Sequence, residues 1–162
     1  EEIILAASCS KNFGIYRERT GIIFTISKDE KYKKLSQSTL AFLNRQNFSF
    51  PPYHGGKLVS LILNDKKLKK DWMNELDQMR LNMLEIRKML VKELRALSGS
   101  DRFDFLGKHR GMFSLIGASK EQVIKIREKH AIYMIEDSRI NIASLNKNTV
   151  STLANAIIDV DV

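Results

Sequence analysis

A single cysteine, Cys9, stands among the 162 residues, and one thiol can form neither an internal disulfide nor a multi-cysteine metal site. The expectation is a reducing compartment, with Cys9 a small packed side chain. The only two prolines are adjacent, Pro51-Pro52, so a proline interrupts ordered structure at one place in the chain. No apolar run approaches the ~20 residues needed to cross a bilayer, and no basic-then-apolar leader opens the sequence. A cytoplasmic protein with no membrane partner is therefore expected. The three histidines, His54, His109 and His130, lack metal-ligand spacing and read as structural or surface residues. Gly55-Gly56 has none of the flanking pattern of a nucleotide phosphate loop, which argues against hydride or phosphoryl transfer.

What the chain does have is material for a core, with 43% hydrophobic and 28% charged residues. A soluble chain of this size buries roughly 70% of its unfolded surface. The formal net charge of +8 invites a nucleic-acid partner. Its distribution argues otherwise: Lys28 to Lys34 and Lys66 to Lys70 are flanked by Asp29, Glu30, Asp65 and Asp71, with little aromatic interleaving for base stacking. These clusters read as solvated helix faces, and no nucleic-acid partner is expected.

Ile3 to Ala7 and Thr20 to Ser27 are apolar, partly β-branched runs, predicting two buried strands of one sheet. From Lys31 to about Gln46 the pattern is helical, and a loop is expected across Pro51-Pro52 and Gly55-Gly56. Lys57 to Leu63 is too short for periodicity to decide between strand and helix. Leu68, Trp72, Leu76, Met79, Met83, Ile86, Leu90, Leu94 and Leu97 form one stripe at helical spacing, read as the packed face of a long helix that Gly99 ends. Short strands are expected at Phe103 to Leu106, Gly111 to Leu115, Ile132 to Ile135 and Arg139 to Ala143. Ser119 with Gln122 resembles a capping box, and Asn146 or Asn148 is expected to cap a last helix.

The chemistry concentrates in Ser8-Cys9-Ser10-Lys11-Asn12-Phe13-Gly14-Ile15-Tyr16-Arg17-Glu18-Arg19, where small polar residues surround one lysine at a strand end. A lysine held among apolar and small groups loses its preference for the ammonium form and becomes a nucleophile able to form a Schiff base with an aldehyde. The common biological aldehyde for this purpose carries a phosphate, which needs hydroxyls and a cation; Ser8 and Arg19 fit. The segment closely resembles the cofactor-lysine motif of class I aminotransferases, in particular the aspartate and aromatic amino acid branch. The resemblance implies pyridoxal 5'-phosphate as cofactor, with Lys11 as the cofactor-bound lysine and proton shuttle, Arg19 as phosphate anchor and Ser8 as a further phosphate ligand.

Two more arginines enter through the same resemblance. Arg139, at the start of a strand in Asp137-Ser138-Arg139-Ile140-Asn141, presents a planar fork that matches a carboxylate. Together with Gly111-Met112-Phe113-Ser114 and Ile132-Tyr133 it resembles the family's C-terminal signature, which implies that Arg139 clamps the substrate α-carboxylate. Arg45, just before Asn47-Phe48-Ser49 and Pro51-Pro52-Tyr53, resembles the family arginine that crosses a dimer interface to meet a distal carboxylate. Phe113 and Ser49 are expected to line the same cavity.

The resemblance covers nearly the whole chain and implies an α/β fold, the C-terminal part of a fold type I transferase. Residues 1–63 would belong to the large cofactor domain, 64–97 to a connecting helix and 98–162 to a small C-terminal domain. It also implies that the Gly55-Gly56 turn opens a helix, that amino acids and 2-oxo acids are the substrates, and that the full-length protein is a homodimer. The chain is expected to be a fragment, weak or inactive alone, because the family's pyridine-nitrogen carboxylate, ring-oxygen tyrosine and main phosphate cup would precede Glu1. Two rivals stand beside this reading: a non-catalytic module with a basic surface, and a lyase or decarboxylase using the same cofactor on the same fold.

Overall fold

The computed structural model describes residues 2–162. They form two compact units, the first ending at Leu76 and the second Asp77–Val162. In the first, β1 (Ile3–Ser8) pairs antiparallel with β2 (Gly21–Ile26), in a register that sets Ile3 opposite Ile26 and Ser8 opposite Gly21. The pairing agrees with the sequence reading, but the burial does not. All of β1 and most of β2 are exposed, Ile4 at 75%. Apolar residues occupy both faces of a strand when both faces are covered, and no described residue supplies that cover here.

Helix α1 (Glu30–Phe48) starts at Asp29, whose side chain accepts the Tyr32 N–H at 3.0 Å. The expected loop is confined to the few residues around the proline pair. Helix α2 (Tyr53–Asn64) begins at once and contains both Gly55 and Gly56, which resolves Lys57 to Leu63 as helix. Proline stops α1, because its ring clashes with the preceding turn, yet it serves well as the entry to the next helix. Asp65 then opens α3 (Lys66–Ser98) by accepting the N–H groups of Lys67 and Leu68 at 2.8 and 2.9 Å.

The second unit holds the core. It gathers Ile86, Leu90 and Leu94 of α3 with Phe103, Leu106, Ile116, Ile126, Ile140, Ile142 and the apolar face of α6 (Val150–Asp159). Of the predicted stripe only Ile86, Leu90 and Leu94 are buried; Leu68, Met79 and Leu97 are exposed. Gly99 ends α3 with φ 64°, its N–H on Arg95 O at 3.0 Å. Helix α5 (Lys120–His130) carries the expected capping box of Ser119 and Gln122.

Three local expectations are corrected. Phe103 to Leu106 is no strand: the N–H groups of Asp104, Leu106 and Gly107 bond to the carbonyls three residues earlier, leading into the one-turn α4 (Phe105–Lys108). Ile132 to Ile135 alternates inward and outward like a strand but finds no ladder, since β3 (Phe113–Leu115) pairs with β4 (Arg139–Asn141). The cap of α6 is Thr149, while Asn146 folds a turn ahead of it by accepting the N–H groups of Asn148 and Thr149. No helix among the described residues is long and apolar enough to cross a membrane.

Candidate active site

The closed end of the β1–β2 hairpin is built by its own backbone. Cys9 N–H reaches Thr20 O at 3.0 Å beyond the last strand pair, and Ser10 N–H is held by Ser8 Oγ at 3.2 Å. Between these ties the chain turns through Ser10 to Gly14, with Phe13 N–H on Cys9 O and Gly14 N–H on Lys11 O. The turn is pinned from α3: Trp72 stacks on Phe13 with ring centroids 4.6 Å apart, and its indole N–H donates to Asn12 O at 2.7 Å. Lys11 is thereby carried on a supported turn.

Tyr16 is the common neighbour of the two cationic groups of this end. The Lys11 ammonium lies over its ring, 4.0 Å from the centroid, and Arg19 Nη1 donates to its carbonyl at 3.2 Å. Arg19 itself is left-handed, φ 50°, which turns the chain into β2. Ser8, at the end of β1, donates its hydroxyl to Ser10 Oγ at 3.2 Å. An amine, a hydroxyl and a guanidinium thus share one hairpin end. The expected apolar enclosure of Lys11 is corrected, because the residue is exposed. Its turn projects from a sheet whose faces the described residues leave open.

Helix α2 packs its first turn against the same end. Gly55 is buried against Thr20 and Glu18, and His54 Nδ1 meets Glu18 Oε2 at 2.8 Å. Arg45 sits exposed in the last turn of α1, with no ion pair among the described residues, and its carbonyl accepts the Ser49 N–H at 3.0 Å. Ser49, with φ 62°, is the residue on which α1 ends.

In the second unit Arg139 and Phe113 come together. They occupy neighbouring strands, and the Arg139 guanidinium lies 5.2 Å from the Phe113 ring centroid. Both line a cavity of about 390 Å³ with Tyr133, Asn141, Ser144 and Thr152. Arg139 has no ion pair among the described residues; Asp137, two residues away, instead accepts the Arg139 backbone N–H at 2.9 Å. The fork is left available at the edge of a largely apolar hollow.

Four residues escaped the sequence reading. Tyr16 and Gly55 act through close approach, which has no periodic signature. Trp72 belongs to the packed stripe by its spacing, whereas its indole N–H braces the lysine turn. Arg87, buried in α3, donates to Leu106 O, Ser114 Oγ and Gly111 O. Burial and, less strongly, the nearby Arg110 hold its guanidinium below the ordinary arginine range.

The family model for aminotransferase class I and II matches residues 1–157. The chain belongs to this family. It is 57% identical to the aromatic-amino-acid aminotransferase of Paracoccus denitrificans, over 99% of this chain and 41% of that protein. Identity with the aspartate aminotransferase of Escherichia coli (strain K12) is 35%, over 99% of this chain and 40% of the relative. Among solved structures, the aromatic-amino-acid aminotransferase of Burkholderia pseudomallei, covalently bound to pyridoxal phosphate, superimposes with a TM-score of 0.88 at 35% identity, covering 98% of this chain and 40% of that one. The chain thus spans about two fifths of the length of these aminotransferases, and its fold is the corresponding part of a pyridoxal-phosphate transferase fold.

Proposed function

We propose that this chain forms the lysine-bearing and substrate-binding C-terminal part of a pyridoxal-phosphate aminotransferase that acts on aromatic and acidic amino acids and 2-oxo acids, and that the full-length protein is a homodimer. On this reading residues 1–63 belong to the cofactor domain, 64–97 to the connecting helix and 98–162 to the small domain. The observation that carries it is the donor set at the hairpin end. A primary amine, a hydroxyl and an arginine with most of its N–H groups uncommitted meet at one turn, and an aldehyde bearing a phosphate needs these groups.

Pyridoxal phosphate, when bound, supplies an aldehyde that takes up the amino group and a ring that accepts the electron pair of the substrate's α-carbon bond. The residues of the chain do the rest. Arg19 and Ser8 hold the phosphate oxygens through charge-assisted and hydroxyl hydrogen bonds. Lys11 Nζ would carry the proton that leaves the substrate α-carbon. Arg139 fixes the α-carboxylate, and Phe113 gives that end of the substrate an apolar wall. Arg45 meets the distal carboxylate of an acidic substrate from the neighbouring subunit, with Ser49 at the rim. An arginine fork at each end of a short chain favours a dicarboxylate, because each fork makes charge-assisted bonds that a neutral end cannot accept.

The test is covalent trapping. Incubation of the full-length protein with pyridoxal phosphate, reduction with borohydride and peptide mapping should place the adduct on Lys11. Adducts scattered over the surface lysines, with none on Lys11, would overturn the assignment.

A further inference from the structure

Arg87 is almost completely buried, and no carboxylate lies within reach of it among the described residues. Its acceptors are neutral: Nη1 on Leu106 O at 3.1 Å and on Ser114 Oγ, Nη2 on Gly111 O at 2.8 Å. A buried cation without a counter-charge is expensive, and an apolar side chain of similar volume would fill the same space at less cost. What only arginine provides is a rigid planar fork with several donors. That fork ties three successive parts of the chain together: α4 at Leu106, the connection at Gly111 and β3 at Ser114.

The strand end of this tie matters most. Side chains alternate across β3, so Ser114 points into the core while Phe113 and Leu115 point out. Holding Ser114 by its hydroxyl therefore sets the placement of Phe113 on the opposite face. His109 Nδ1 adds a second hold on the same hydroxyl at 3.2 Å. Phe113 in turn sits under the Arg139 guanidinium and opposite Asn141 of β4, and all three line the cavity.

We propose that Arg87 is a positioning residue for substrate: from behind β3 it fixes Phe113, and with it the width of the cleft between Phe113 and Arg139 that receives the substrate carboxylate. This rests on the reading of Arg139 and Phe113 given above. It assigns Arg87 no contact with substrate or cofactor.

The test uses the full-length protein loaded with cofactor, and 3-phenylpropionate as probe, a carboxylate with an aromatic ring and no amine. Calorimetry on Arg87→Met should show its Kd raised about tenfold, the scale of one charge-assisted hydrogen bond lost between the Arg139 fork and a carboxylate no longer held in register. Ser114→Ala, which leaves the arginine in place, should raise it about threefold, by the loss of one of several ties. In both, KM for phenylalanine should rise by a larger factor than kcat falls. Adding Arg87→Met to Phe113→Ala should weaken the probe no further, since both act through one side chain. Wild-type affinity in folded Ser114→Ala, or effects of Arg87→Met and Phe113→Ala that multiply, would overturn the proposal; if Arg87→Met does not fold, Ser114→Ala decides. Arg139→Leu separates the two readings. Unchanged affinity there removes the carboxylate fork and this proposal with it, whereas weakened affinity there beside wild-type affinity in Ser114→Ala removes this proposal alone.

Discussion

Two adjacent glycines of α2 should respond in opposite directions to the same substitution. At Gly55 an added Cβ would overlap Thr20 Oγ1 and come within 2.7 Å of Glu18 Cβ, whereas at Gly56 it would meet nothing within 4 Å. Neither obstacle yields easily. Thr20 is β-branched and stiff at χ1, and its backbone carbonyl holds Cys9 N–H. Glu18 Cβ is fixed to the backbone, and its carboxylate is engaged with His54 at 2.8 Å. Overpacking of this kind costs about 1–3 kcal/mol, against a helix-propensity gain of ~1 kcal/mol for replacing glycine by alanine. Gly55→Ala should thus lose up to about 2 kcal/mol, while Gly56→Ala should gain up to ~1 kcal/mol.

The functional consequence follows from what lies between the two obstacles. Arg19 sits between Glu18 and Thr20, so relief of the clash moves the proposed phosphate anchor. Denaturant unfolding measures the stability difference, and titration with pyridoxal phosphate measures the second effect, expected as a weaker Kd in Gly55→Ala alone. Combining it with Thr20→Ala removes the overlapping oxygen and should recover part of the stability. Equal stability and equal cofactor affinity in the two single variants would refute the close-approach argument.

Arg45→Leu should lower kcat/KM for aspartate about ten- to a hundredfold, the worth of one or two charge-assisted hydrogen bonds, and leave phenylalanine turnover nearly unchanged; parallel steady-state kinetics on the two substrates check it. On the surface of the second unit, hydrogen bonds from His130 and then Lys129 hold the Asp159 carboxyl below its ordinary 3.8. A depressed folded-state value stabilises above the ordinary value and loses that stabilisation as pH falls through the depressed one. Asp159→Asn should therefore be less stable than wild type at neutral pH and converge with it in acid, below pH 3.8. Urea midpoints across a pH series measure this, and the difference should be small because the pair is exposed.

The parts of the fold visible in the sequence were those with a local cause. The α3 stripe is a spacing, the Ser119–Gln122 box is a pair of neighbours, and the β1 and β2 runs are composition. Lys11, Arg19 and Arg139 stood out because their side-chain chemistry is carried by short motifs. What escaped notice is long-range. Arg87 follows Ile86 in a helix where a charged residue reads as solvent-facing, and its three acceptors lie 19 to 27 residues further on. The strand pattern of Ile132 to Ile135 was real as alternation, since Ile132 and Met134 pack on the core, but alternation states which side is buried and does not provide a partner strand. Gly55 looked like a loop glycine because the space that forbids a side chain there belongs to Glu18 and Thr20.

The candidate residues of the two units stand on different footings. Every buried hydrophobic residue among those described lies at Ile86 or later, so Arg139, Phe113 and Arg87 are mounted on a closed core, and a substitution there should report on local geometry. The hairpin that presents Lys11 is different. Ile3, Leu5, Ile23 and Phe24 remain about half exposed, although a strand with apolar residues on both faces is suited to cover on both. The desolvation that makes a lysine a good nucleophile needs low-dielectric surroundings, and the turn and Tyr16 alone do not supply them. The hairpin fixes the position of Lys11 and its neighbours, while its reactivity depends on whatever covers those apolar faces, so trapping at Lys11 should become faster when they are covered.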